Sequence, residues 1–133
     1  MKKIVAVLDT MWGGEGHAPR FFCINPYNHS GRRLYRLIGG DAKLFVTNAC
    51  CEYVNNARKH GNPDPDWLAE NLRRLEERIG IDVLLVCGKI AQRTYRDCGY
   101  RPKNARVLKI LHPAARTWTK AKIKRVSRRI SKA

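Results

Sequence analysis

Four short, near-continuous apolar runs constrain this chain more than any other feature. Lys3–Asp9, Lys43–Thr47, Asp82–Cys87 and Arg106–Leu111 are rich in Val, Ile and Leu. A strand wetted on one face alternates apolar with polar residues, whereas a strand covered on both faces does not. The segments between the runs supply the cover. Ser30 to Ile38 reads as a helix, with Leu34, Leu37 and Ile38 on one face, Ser30 as N-cap and Gly39-Gly40 as its stop. A second helix starts at Asp64-Pro65, repeats Trp67/Leu68, Leu72, Leu75 and Ile79, and ends at Gly80. Gly88-Lys89 turns into a third through Ile90, Ala91, Thr94, Tyr95 and Cys98, ended by Gly99. A fourth, about Thr119 to Ile130, is basic, with Ile123, Val126 and Ile130 inward. Met11–Arg20 and Asn48–Pro63 read as loops, and Phe21–Asn25 as a short extended piece. The expectation is an α/β chain: a three-layer α/β/α sandwich with a central, mainly parallel four-stranded sheet, forming one domain over 1–133.

The chain has 133 residues, 27 Lys+Arg and 11 Asp+Glu, a formal net charge of +16. That length gives one core and little room for a second. The charge is uneven: residues 98–133 hold 12 basic side chains and no acid. Counter-ion release makes such a segment attractive to a polyanion, of which nucleic acid is the commonest. An anionic membrane surface is the rival partner. No apolar run is long enough to span a bilayer, and the apolar start stops at Asp9 without a cleavage-type sequence, so a strand is expected there and not a signal peptide.

Five cysteines, an odd number without a C-x-x-C pair, fit a reducing cytosol, and a cytoplasmic monomer is expected. Cys87 reads as a small buried hydrophobe. The four histidines lack ligand-like spacing, so no metal and no cofactor are expected, although His29, Cys50 and Cys51 could be gathered by folding.

Open parallel sheets bind ligands beyond the carboxyl ends of their strands. Those ends here are Asp9-Thr10, Thr47-Asn48, Gly88-Lys89 and His112-Pro113. One edge thus gathers a carboxylate, a carboxamide, a glycine turn and an imidazole. Singly, each also has a structural role open to it, such as a turn cap.

Four segments resemble the uracil-DNA glycosylase superfamily. Leu44-Phe45-Val46-Thr47-Asn48, followed by an Asn-rich loop and Asn62-Pro63-Asp64-Pro65, resembles its strand-plus-Asn segment. Trp67 to Tyr95, including Val83 to Ala91, looks like the helix, strand and G-x-x-A helix that follow. Val107 to Arg116, reading V-L-K-I-L-H-P-A-A-R, is similar to the second catalytic motif. Gly16 to Gly39 resembles the loop and helix after the first motif. The resemblance covers nearly the whole chain. It implies a DNA glycosylase that flips a uracil or modified pyrimidine from single- or double-stranded DNA and hydrolyses its N-glycosidic bond.

By that resemblance Asn48 reads the base edge and His112 donates to the base carbonyl as charge develops. For the first motif two frames fit. In one, Asp9 orients water and Phe22 stacks on the base. In the other, Asn25 orients water and Tyr27 lines the pocket. The Asp9 frame keeps strand, loop, aromatic and helix in the family order. Neither has the family's leading glycine, because Val7 or Cys23 stands there. Arg116 would enter the duplex or clamp phosphate, Lys89 would add a phosphate contact at a helix N-terminus, and Lys120, Lys124, Arg125 and Arg128 would grip the backbone. The iron–sulphur cysteines of one branch are not matched. The alternative is a catalytically inactive protein of this fold that binds DNA or a nucleotide-like ligand.

Overall fold

A computed structural model describes residues 1–12, 14, 16–54 and 61–133. In chain order the elements are β1 (Lys2–Leu8), β2 (Met11–Trp12), α1 (His29–Ile38), β3 (Ala42–Asn48), β4 (Tyr53–Val54), α2 (Pro65–Ile79), β5 (Val83–Cys87), α3 (Gly88–Cys98), β6 (Arg106–Ile110) and α4 (Lys120–Lys132). The main sheet has the order β3-β1-β5-β6, and every pairing in it is parallel.

The β1 and β5 runs are buried on both faces and β3 largely so, for the reason their composition requires, while the edge strand β6 leaves Arg106 and Lys109 exposed. Ile4, Ala6 and Leu8 face one way with Val46, Leu85 and Ile110, against Leu34 and Leu37 of α1 and Ile130 of α4. Val5 and Val7 face the other way with Leu84 and Val86, against Leu68, Leu72 and Leu75 of α2 and Ala91 and Tyr95 of α3. The result is the expected three-layer sandwich. The chain leaves β1 for β3 on one side, then crosses to β5 on the other. This reversal opens a crevice at the carboxyl edge of the sheet.

The structure refines three expectations. Asn28, not Ser30, caps α1, its Oδ1 accepting from the Gly31 N–H at 2.7 Å. A turn fixes that choice: Asn28 N–H donates to the Asn25 carbonyl at 3.3 Å, which sets Asn28 in the extended conformation a cap needs. Gly31 makes the turn fit, since a Cβ there would lie 1.9 Å from the Asn25 oxygen.

Second, the stretches read as loops contain a further small sheet. Met11–Trp12 pairs in parallel with Tyr53–Val54, extended by a bridge between His17 and Glu52 and by the Ala18 N–H donating to the Cys51 carbonyl at 2.8 Å. A two-residue ladder is too short to show a period. Positions 55–60 of the expected Asn48–Pro63 loop, and Gly13 of the earlier one, lie outside the described residues. Third, the extended Phe21–Asn25 piece covers the β3 edge, where Phe22 and Val46 exchange two backbone hydrogen bonds of 2.8 Å.

Candidate active site

Three of the four strand ends meet at a cleft of about 970 Å³, and the Gly88-Lys89 turn after β5 lies outside its lining. Asp9 and Thr10 enter it after β1, Asn48 from the last position of β3, and His112 after β6. The first turn of α1, through Asn28, His29 and Ser30, forms one wall. That turn holds no acidic residue, so the positive end of the helix dipole faces the cleft uncompensated from within.

Asp9 and His112 form a pair. The His112 Nε2 lies 3.4 Å from the Asp9 Oδ1, which also accepts the Thr10 N–H at 2.7 Å. On its other side, His112 Nδ1 accepts the Ala114 N–H at 3.0 Å. An N–H aimed at Nδ1 leaves the proton of the neutral ring on Nε2, directed into the cleft. Burial pushes the Asp9 carboxyl up, but the His112 hydrogen bond and charge, with the Thr10 N–H, outweigh it and hold it below the usual aspartate value. Asp9 is therefore ionised at neutral pH. The separation of 3.4 Å is long for a charge-assisted bond, so the Nε2 proton is loosely held.

Asn48 is 1% exposed, and neither its amide oxygen nor its amide nitrogen has a hydrogen-bond partner. Its neighbour Thr47 is also buried but fully engaged. The Thr47 hydroxyl donates to the Arg20 carbonyl at 2.7 Å and accepts from Asn71 at 3.2 Å, while Arg20 donates to Asn71 at 3.0 Å. This network ties the segment after Arg20 to β3 and α2. It sets Phe22 half-buried on the cleft wall. Two adjacent buried polar residues thus differ sharply: Thr47 is satisfied by the fold, and Asn48 presents a donor and an acceptor that only a ligand or water entering the cleft can meet.

Gly88 supports His112 from behind. Its φ is +86°, and an added Cβ would lie 3.1 Å from the His112 Cβ. Gly88→Ala combines backbone strain with a push on the imidazole. The expected result is a loss of about 1–3 kcal/mol of stability in a denaturant melt, with the His112 ring resonances shifted in an NMR spectrum. Unchanged ring resonances would remove this supporting role. Cys87, just before it, is fully buried, donates to the Leu85 carbonyl, and has its thiol pushed far up by burial and then by the Asp9 charge. It is an inert hydrophobe, as its sequence setting indicates.

The structure brings Asp9, Phe22, Asn48 and His112 into one cleft. It places Asn25 and Tyr27 outside the lining: the Asn25 Oδ1 accepts the Tyr27 N–H at 2.9 Å, and Tyr27 is 82% exposed. Lys89, Arg116, Lys120, Lys124, Arg125 and Arg128 are all exposed. Among the described residues no three His, Cys, Asp or Glu side chains gather as metal ligands, so His29, Cys50 and Cys51 do not form the site that folding could have made. Sequence reasoning missed Trp12 and Tyr53, which line the cleft from β2 and β4. The available signal was aromatic residues in the segments that follow strands at the functional edge.

Residues 17–131 match the uracil DNA glycosylase superfamily. The chain belongs to that superfamily. No curated protein matches it. Membership covers the elements that supply Phe22, Asn48 and His112, while Asp9 lies just before the matched span. The glycosylase-like fold makes DNA the partner to test first. No helix among the described residues is long and apolar enough to cross a membrane.

Proposed function

We propose that this superfamily member is a DNA glycosylase that takes a uracil or modified pyrimidine out of the stack and hydrolyses its N-glycosidic bond. The observation that carries this reading is the unpartnered, buried amide of Asn48, in the same cleft as an ionised carboxylate and an imidazole. A pyrimidine edge offers neighbouring donors and acceptors, which a carboxamide pairs with in one plane. Phe22 offers the ring face for stacking.

The bond breaks with its electron pair leaving on the base. The sugar becomes oxocarbenium-like and the base becomes anionic. The His112 Nε2–H turns from Asp9 to the base carbonyl, where charge develops. The Asp9 carboxylate opposes the sugar cation and holds the water that adds to the anomeric carbon, whose proton leaves to Asp9 or solvent. Arg116 and the α4 cations Lys120, Lys124, Arg125 and Arg128 contact the DNA backbone, with Lys89 lining the same groove as Arg125.

The test is single-turnover cleavage of labelled oligonucleotides, single- and double-stranded, carrying uracil, thymine mispairs or 5-hydroxymethyluracil. Abasic-site formation is expected with at least one of them, and its loss in His112→Ala assigns it to this cleft. Val7, standing where the resemblance places a glycine, favours a second reading: a binder of DNA or of a nucleotide-like ligand that releases no base. Tight, salt-sensitive binding without an abasic product on any substrate would establish that reading and end the enzymatic one.

A further inference from the structure

A second groove, of about 450 Å³, lies between the start of α3, the end of β6 and α4. Five cations line it, Lys89, Lys109, Lys122, Arg125 and Arg129, and no carboxylate does. Among the described residues none of the five is in an ion pair. Like charges gathered along one groove repel until an anion enters. The rest of the lining is largely apolar. Leu111 is 38% exposed there, and Trp118 lines the same groove half-buried, packed against the core with the Arg33 guanidinium 5.5 Å from its ring centroid.

This combination distinguishes kinds of polyanion. A duplex presents phosphates and hides its base faces, so it would leave Leu111 and Trp118 uncovered. A single strand presents both phosphates and unstacked bases, which match cations interleaved with apolar surface. The groove also adjoins the cleft. The Trp118 Nε1 donates to the His112 carbonyl at 2.8 Å, and Gly88, where an added Cβ would lie 3.1 Å from the His112 Cβ, lines the groove.

Resting on the reading of this chain as a protein that acts on DNA, we propose that the groove binds single-stranded nucleotides flanking the target, phosphates on its cations and an unstacked base against Leu111 and Trp118. The substrate class is then single-stranded DNA, or duplex opened beside the target.

The test is equilibrium binding of a single strand of about twelve normal nucleotides and of the matching duplex, over a range of salt. Neither contains a releasable base, so the outcome is independent of glycosylase activity. Lys122→Gln/Arg125→Gln/Arg129→Gln is expected to reduce the single-strand log K against log [salt] slope by about 2, since each phosphate contact contributes about 0.7. Leu111→Ala is expected to weaken single-strand binding about fivefold with the slope unchanged, and to leave duplex affinity within about twofold. Leu111 is surface-exposed, so this variant keeps the test open if the triple variant melts early. Equal losses on duplex and single strand would overturn the proposal in favour of a duplex clamp. So would a Leu111→Ala variant with wild-type affinity, or an unchanged slope. Retained DNA binding with lost binding to vesicles of anionic phospholipid would overturn it in favour of a membrane surface.

Discussion

Asn48→Leu is expected to make the protein more stable and abolish base release. In the free protein the Asn48 amide is buried with neither polar atom bonded. A buried polar group without a partner costs about 1–3 kcal/mol. Leucine removes both polar atoms, and its extra volume can extend toward the cleft that Asn48 lines. Thermal unfolding should therefore rise, by about 3–5 °C for each kcal/mol in a chain of this size. Base release should fall by at least about 100-fold, because the residue we propose to pair with the base is gone. Most large effects on activity at buried positions come with lost stability; here the two should move in opposite directions. A variant that melts lower and remains active would show that Asn48 is an ordinary structural residue.

The second large effect concerns the Asp9–His112 pair. Asp9→Asn and His112→Ala should each lower the single-turnover rate by about 100- to 1,000-fold. The two groups face each other at 3.4 Å, so the double variant should lose much less than the product of the single losses. Multiplicative losses would mean that the groups act independently. Acid tolerance gives a further measurement. The folded Asp9 pKa lies below its unfolded value. Its contribution to stability is thus present above the unfolded pKa and is lost as pH falls through the folded one. The same ionisation keeps the carboxylate competent into acid. The rate should not show an Asp9-dependent decline until below about pH 4, the ordinary aspartate value. A decline centred well above that would assign the limb to another group.

The fold was legible because the central strands are covered on both faces, and an apolar run of five to seven residues has few alternatives in an α/β chain. Helix ends were legible where one chemistry was available. Asp64 caps α2 through the Trp67 N–H at 3.0 Å, as its place before Pro65 indicates. They were ambiguous where two capping residues lie close together, and the Asn25 turn decided between Asn28 and Ser30. In the site, Asp9, Asn48 and His112 could be placed because strand ends are fixed by the sheet. Trp12 and Tyr53 could not, because a two-residue ladder is decided by distant pairing and leaves no local pattern. The frame around Asn25, Ile24-Asn25-Pro26-Tyr27-Asn28-His29, resembles the family's first motif in wording, yet its Asn25 side chain closes a turn before α1 and Tyr27 points to solvent. Wording alone does not reveal which loop reaches the cleft.

The bond from the Trp118 indole to the His112 carbonyl gears together the two tasks proposed above for α4 and the imidazole. The peptide unit that holds the imidazole also anchors the entry to α4, whose far end is tied to β1 by Lys2 Nζ at the Ile130 and Ser131 carbonyls. The helix is thus pinned at both ends and cannot slide without moving the imidazole or straining the lysine. A lineage, or an engineer, adjusting how firmly this helix seats would alter the timing of chemistry with the same change. On the proposed function, holding and turnover are in this sense one heritable trait, and independent tuning would have to begin by cutting the indole bond.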